Sequence, residues 1–190
     1  MTDNSILIIA NGQSILETKL GTKIDDFNNI ARINNYKIGG YEEFVGTKTD
    51  IWINGANSKL AIPDIIPERI VITLPSKVFD KNKANILSYV SKKLNMNQNK
   101  FLLVPNEDIL NYENEVDNNR LTTGLYSIMW ALKNYENIYI HGFDFFINSK
   151  SHYFDSKLIN FMNEKILNKG HKHDNQRENG FVNNLIKEKK

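Results

Sequence analysis

The chain contains no cysteine, which rules out disulfides, thiolate nucleophiles and thiolate-bound zinc together. No apolar run approaches the roughly 20 residues that a membrane-spanning helix needs. The basic start and long apolar core of a secretory signal are absent too, so the expected location is the cytoplasm. A contact with the inner face of a membrane would be weak and peripheral, through Lys187, Lys189 and Lys190. An excess of one charge is also lacking. Lys and Arg number 24 against 22 Asp and Glu, a net charge of +2 that argues against a nucleic-acid partner. Neither the dinucleotide fingerprint G-x-G-x-x-G nor a complete P-loop is present. Gly46-Thr47-Lys48-Thr49 has the tail of a P-loop, without its first glycine or a following helical pattern. No Asp-x-Asp pair offers itself to a divalent cation, so no metal and no resident cofactor are expected.

Apolar residues make up 41% of the 190, enough for one sizeable core and for a single domain over residues 1–190. The run Ser5-Ile-Leu-Ile-Ile-Ala10 is continuous rather than alternating, the mark of a strand buried on both faces, and it is expected to be the central strand. Short Ile- and Val-rich segments at residues 29–34, 50–54, 69–74, 100–104 and 137–142 predict further strands. Helical spacing links Leu87, Val90 and Leu94; Leu125, Ile128, Met129 and Leu132; Leu158, Phe161, Met162 and Ile166; and Phe181 and Val182 with Leu185 and Ile186. The Asn-rich residues 95–100 and 111–119 read as surface loops. Strands alternating with helices predict a single Rossmann-like α/β domain, a largely parallel sheet with helices on both faces. Ligands should then sit beyond the carboxyl ends of the strands.

Several segments at such ends carry chemistry. Asn11-Gly12 directly follows the first strand, where glycine admits a close ligand and asparagine offers a donor and an acceptor. The same pair is also a favoured hairpin turn. Arg32-Ile-Asn34 ends the second strand and brings a second amide to the first. Thr122-Thr123-Gly124 opens the strongest helical pattern; with Thr123 as N-cap, free N–H groups and the positive helix end would face an anion. After Ile140-His141-Gly142 come Asp144, suited to holding a ligand or a loop, and the pair His152-Tyr153. His141 and the Phe cluster at Phe143, Phe145 and Phe146 read as structural. Late in the chain, Gly170-His171-Lys172-His173-Asp174 and Glu178 supply imidazoles suited to a general base, with Glu178 able to orient one or to support the fold. His171 and His173 with Asp174 could bind a metal, but there is no cysteine and no further ligand is fixed by spacing.

In this order the segments resemble the sialyltransferases of the animal Golgi and of bacterial lipooligosaccharide synthesis. Residues 6–54 are similar to the animal large sialyl motif, through Asn11-Gly12, Arg32-Ile-Asn34, Gly40-Tyr41-Glu42 and Val45-Gly46-Thr47-Lys48-Thr49. Residues 120–155 are similar to the small motif and the His-Tyr motif, and His173-x4-Glu178 to the last motif; residues 55–119 have no counterpart. The resemblance implies a variant of the GT-A glycosyltransferase fold and a metal-independent, inverting transfer of sialic acid, or a related ulosonic acid such as Kdo, from a CMP-sugar to a glycan hydroxyl. It implies a surface glycan such as lipooligosaccharide or capsule as acceptor. It casts Asn11, Gly12, Arg32, Asn34, Thr122, Thr123, Gly124, Asp144 and His152 as donor-binding and Tyr153 as the group that meets the departing phosphate. His173 would be the base, with His171 as the alternative because bacterial members carry a Gly-His pair. Two features depart from the families: the disulfide that joins the animal motifs cannot form, and Phe146 replaces a second phosphate-facing tyrosine of bacterial members. The competing expectation is a module that binds a nucleotide or glycan and has lost the reaction.

Overall fold

Five consecutive buried residues require neighbours on both sides, and Ser5–Ile9 has them: as β1 it pairs in parallel with β2 (Ile30–Ile33) and with β6 (Asn137–His141). The computed structural model describes residues 4–57, 59–82, 85–144, 152–154 and 174–188. There, β3 (Ile51–Asn54), β4 (Arg69–Ile72) and a short β5 (Leu102–Leu103) complete a six-stranded sheet ordered β5-β4-β3-β2-β1-β6, with every pairing parallel. A hairpin at Asn11-Gly12 is therefore excluded. The expectation that β1 is central is corrected: β2 and β3 hold the middle, and β1 lies next to the edge strand β6. The chain steps outward from β1 to β5, then returns to pair with the other side of β1. That reversal is a topological switch point, and it opens a crevice at the carboxyl ends of β1 and β6.

Short helices α1 (Gly21–Asp25) and α2 (Glu42–Val45) lie in the first two crossovers, and α3 (Ser76–Lys81) and α4 (Ile86–Leu94) separate β4 from β5. Between β5 and β6 run α5 (Asn106–Glu115) and α6 (Thr123–Asn134), and α7 (Asn175–Glu188) is the last described helix. The expected loop at residues 111–119 is largely the end of α5. Its composition is polar, but Ile109, Tyr112, Glu113 and Val116 make one buried stripe, and that stripe decides. In α4, Val90 and Leu94 are buried as the spacing predicts, whereas Leu87 is exposed. The helical pattern at Leu158, Phe161, Met162 and Ile166 lies outside the described residues.

Alternation along β1 divides the core. Ile6 and Ile8 join Leu125, Ile128 and Met129 of α6, while Leu7 and Ile9 join Ile15, Ile24 and Val45 on the α1–α2 side. Each such fully buried aliphatic side chain contributes about 1.5–3 kcal/mol. With both faces covered, a continuous apolar strand is stable.

Arg32 is a buried cation, only 1% exposed at the middle of the sheet. Its guanidinium donates to the Val45 carbonyl at 2.7 Å, to the Lys48 carbonyl at 2.9 and 3.2 Å, and to Thr49 Oγ1 at 2.8 Å. Burial pulls its pKa below the usual arginine value, partly offset by nearby Tyr153, Tyr36, Asp25 and Asp50. The Gly46-Thr47-Lys48-Thr49 loop is thus held by protein groups on both sides, since Asp25 accepts from Thr47 N, Thr47 Oγ1 and Lys48 N at 2.8–3.0 Å. Burial works against ionising Asp25, but those hydrogen bonds and Arg32 outweigh it and lower its pKa. Replacing Arg32 with Ala would strand two carbonyls and open a void. The expected loss is roughly 3 kcal/mol of unfolding free energy, read from urea denaturation.

Candidate functional site

At the switch point lies a small cleft of about 110 Å³, open on one side to solvent. It is lined by Ala10, Asn11 and Gly12 after β1, Ile33 and Asn34 at the end of β2, Thr122, Thr123 and Gly124 at the start of α6, Gly142, Phe143 and Asp144 after β6, and His152. Of the residues expected at a donor site, the fold brings Asn11, Gly12, Asn34, Thr122, Thr123, Gly124, Asp144 and His152 to this one cavity.

The two asparagines face it with opposite polarity. Asn11 gives both Nδ2 hydrogens to the carbonyls of Ile33 and Asn35, at 2.9 and 2.8 Å, which ties the ends of β1 and β2 together and leaves its Oδ1 as the acceptor. Asn34 is held in the left-handed region, φ 50°, with its N–H on the Ile53 carbonyl and its carbonyl accepting from Trp52 Nε1 at 2.7 Å. Its Oδ1 accepts from Gly55 N at 3.3 Å. Among the described residues nothing takes the Nδ2 hydrogens, so Asn34 presents a donor. One amide accepts and the other donates.

Helix α6 contributes the positive end. Its N-cap is Thr122, not Thr123: Thr122 has extended backbone, φ −68° and ψ 157°, and its Oγ1 accepts from Leu125 N at 3.2 Å. The difference has a cause in α7. Glu178, with no solvent exposure, accepts from Thr122 N at 2.8 Å and from Thr122 Oγ1 at 2.5 Å. The Thr122 hydroxyl is thereby committed to the fold, which leaves Thr123 and Gly124, both in the cleft lining, as the first-turn residues whose N–H groups have no intrahelical acceptor. The Phe143 ring closes on Gly124, where a Cβ would lie 3.1 Å from Cε1.

Asp144 occupies the β1–β6 crevice. Its carboxylate accepts from Ser14 N at 3.1 Å and from the Ser14 hydroxyl. A Cβ on Gly12 would come within 2.3 Å of Asp144 Cγ, so only glycine admits the carboxylate there. His152 stacks on Phe154 at 5.4 Å, and its carbonyl accepts from Gln13 Nε2 at 2.8 Å.

Three expected site residues are placed elsewhere. Arg32 lies under the 45–49 loop, where its Nε and Nη2 are held by the Val45 and Lys48 carbonyls and Thr49 Oγ1, and it does not line the cleft. Tyr153 is 4% exposed, packed edge-on to Tyr41 at 5.0 Å; its hydroxyl accepts from Lys37 N at 3.0 Å and donates to the Lys37 carbonyl. It is not among the residues lining the cleft. Glu178 reaches the cleft only through Thr122. His171 and His173 lie outside the described residues. His141 is half-buried at the end of β6, its pKa lowered by burial, and does not line the cleft. Sequence reading missed Phe143 as a wall, Ser14 as the anchor of Asp144, and Gly55 and Trp52 as the groups that orient Asn34. Adjacency of Ser14 to Asn11-Gly12 is the one signal that was available.

These features define an open parallel α/β protein with a cleft at its switch point, lined by a helix N-terminus and two side-chain amides. The model of glycosyltransferase family 29 (sialyltransferase) matches residues 5–65 and 68–190, and the chain belongs to that family. A 58-residue stretch is 31% identical to the CMP-N-acetylneuraminate-beta-1,4-galactoside alpha-2,3-sialyltransferases of Homo sapiens and Pan troglodytes, covering 30% of this chain and 16% of each of those enzymes. The fold is that of a mammalian sialyltransferase crystal structure, at a TM-score of 0.69, 17% identity, and coverage of 98% of this chain and 67% of the other. It is also similar, at a TM-score of 0.52 and 20% identity over 90% of this chain and 69% of the other, to the sialyltransferase CstII of Campylobacter jejuni in complex with a substrate analogue, CMP-3FNeuAc.

Glu178 gives the site a pH signature. Burial raises its pKa from 4.5 to about 7, against the opposing hydrogen bonds from Thr122. Between those values the folded chain holds a proton that the unfolded chain has released, so this contribution to stability is complete below pH 4.5 and is lost as pH rises to about 7. Relative to Glu178→Gln, the wild-type chain should lose roughly 3 kcal/mol over that interval, measured by denaturation across pH. A constant difference would contradict the assignment.

Proposed function

We propose that this chain transfers sialic acid, or a related ulosonic acid such as Kdo, from a CMP-sugar to a hydroxyl of a glycan acceptor, without a metal and with inversion. The observation that carries the reading is the convergence of Asn11, Asn34 and the α6 start on one cleft. A CMP-sugar presents what these groups complement. Its phosphate suits the Thr123 and Gly124 N–H groups, the helix end and Asn34 Nδ2; its ribose hydroxyls and amino group suit Asn11 Oδ1 and Asp144. Asp144 would repel the phosphate, which orients the nucleotide with its phosphate toward α6.

In the reaction, the acceptor oxygen attacks the anomeric carbon as its proton passes to the base, and the bond to the CMP phosphate breaks with inversion at that carbon. His173 is the proposed base, His171 the alternative. Developing charge on CMP is met by N–H dipoles rather than by a cation. The acceptor proposed is a surface glycan such as lipooligosaccharide or capsule, reached from the cytoplasmic side. Among the described residues no helix is long and apolar enough to cross a membrane.

One observation favours a second reading. The Tyr153 hydroxyl, the expected partner of the leaving phosphate, is taken by Lys37. A chain without that donor would bind CMP and turn over nothing. Release of CMP from CMP-N-acetylneuraminate, with and without glycan acceptors, separates the two. Transfer should fall about 10²–10⁴-fold in His173→Ala with CMP binding retained. The same loss confined to His171→Ala moves the base there, and no turnover of any CMP-sugar supports the binding module.

A further inference from the structure

A second buried carboxylate stands behind the same wall of the cleft, in the part of the chain that matched no sialyltransferase motif. Glu113, on α5, is 4% exposed, and it accepts three hydrogen bonds: from Ser76 N at 3.1 Å, from Ser76 Oγ at 2.5 Å and from the Tyr126 hydroxyl at 2.5 Å. Tyr126, 1% exposed on the first turns of α6, in turn accepts from Leu121 N at 3.3 Å. Leu121 immediately precedes the N-cap. A chain of bonds thus runs from α3 through α5 and α6 to the residue before Thr122, while Glu178 holds Thr122 from the other side.

The intervening turn needs such restraint. Asp117 is left-handed, φ 52°, an unfavourable conformation for a residue with a side chain, and Asn118 N returns to the Glu113 carbonyl at 2.9 Å. The Arg177–Asp117 pair that crosses it at 2.6 Å is exposed, and such pairs are weak. The buried carboxylates therefore supply most of the orientation of residues 121–124. Burial and then the Glu113 contact raise the Tyr126 pKa far above the usual phenol value, so Tyr126 remains a proton donor to Glu113 throughout the working pH range.

We propose that Glu113 is a positioning residue for the phosphate of the nucleotide: through Tyr126 and Leu121 it aims the Thr123 and Gly124 N–H groups into the cleft without touching the ligand. The proposal rests on the CMP-sugar reading of that cleft. It predicts a loss specific to phosphate, because the Asn11 and Asp144 sides are held by other elements.

The test is calorimetric binding of CMP and of cytidine to the wild-type chain, Glu113→Gln and Tyr126→Phe, below the melting temperature of each. Val90→Ala, in the α4 core away from the cleft, serves as a control for lost stability. The wild-type chain should prefer CMP to cytidine. In Glu113→Gln and Tyr126→Phe that preference should shrink about 5–10-fold with cytidine affinity unchanged, whereas Val90→Ala should keep it. Tyr126→Phe, which removes one hydroxyl and keeps the ring, carries the test if Glu113→Gln fails to fold. An unchanged CMP-to-cytidine ratio in folded Tyr126→Phe would overturn the positioning role alone. A wild-type chain that binds no CMP would overturn the reading of the cleft as well.

Discussion

Helix α6 begins where it does because its N-terminal N–H groups are divided between two claimants. A helix start leaves its first amides without intrahelical partners, and here Thr122 is satisfied by a buried carboxyl from α7 while Thr123 and Gly124 face an open cleft. Everything else in the site is measured from that point. The sheet places Asn11 and Asn34 opposite the helix end, Asp144 fills the crevice beside Gly12, and Phe143 closes against Gly124. Were α6 to start one residue later or to tilt, the amides would no longer converge with Asn34.

The cleft divides its polarity. On one side are groups that donate, the helix end and Asn34; on the other are groups that accept, Asn11 Oδ1 and Asp144. A nucleoside monophosphate has the matching asymmetry, an anion joined to a polyhydroxylated ring. The chain has no cysteine, and pairing and hydrogen bonds join these segments instead: β1 and β6 are adjacent parallel strands, and Ser14 is bonded directly to Asp144 across 130 positions of sequence.

Much of this was legible in the sequence, for physical reasons. A doubly covered parallel sheet demands uninterrupted apolar runs such as Ser5–Ile9, and polar residues that end those runs fall at the functional edge. That logic placed Asn11, Gly12, Asn34, Thr123, Gly124 and Asp144 together, and the fold brings them to one cleft. It failed where a residue type has two uses. Arg32, in a motif that resembles a nucleotide site, satisfies carbonyls in the core; Tyr153, with an available hydroxyl, spends it on the Lys37 backbone. The N-cap was misplaced by one residue because Glu178, 56 positions away, decides between two adjacent threonines. Residues 111–119 looked like a loop because Asn and Glu dominate them, although one buried stripe with Glu113 facing inward makes most of them helix. In each case the deciding partner is distant in sequence.

The central claim is that the α6 start and Asn34 receive the phosphate of a CMP-sugar. Titrating an isotope-labelled chain with CMP and following its amide resonances tests this most directly. The account predicts the largest shifts at the Thr123 and Gly124 backbone amides and the Asn34 side-chain amide, with smaller ones at Asn11 and Asp144. Shifts concentrated away from the cleft, or no saturable shifts at millimolar CMP, would contradict it.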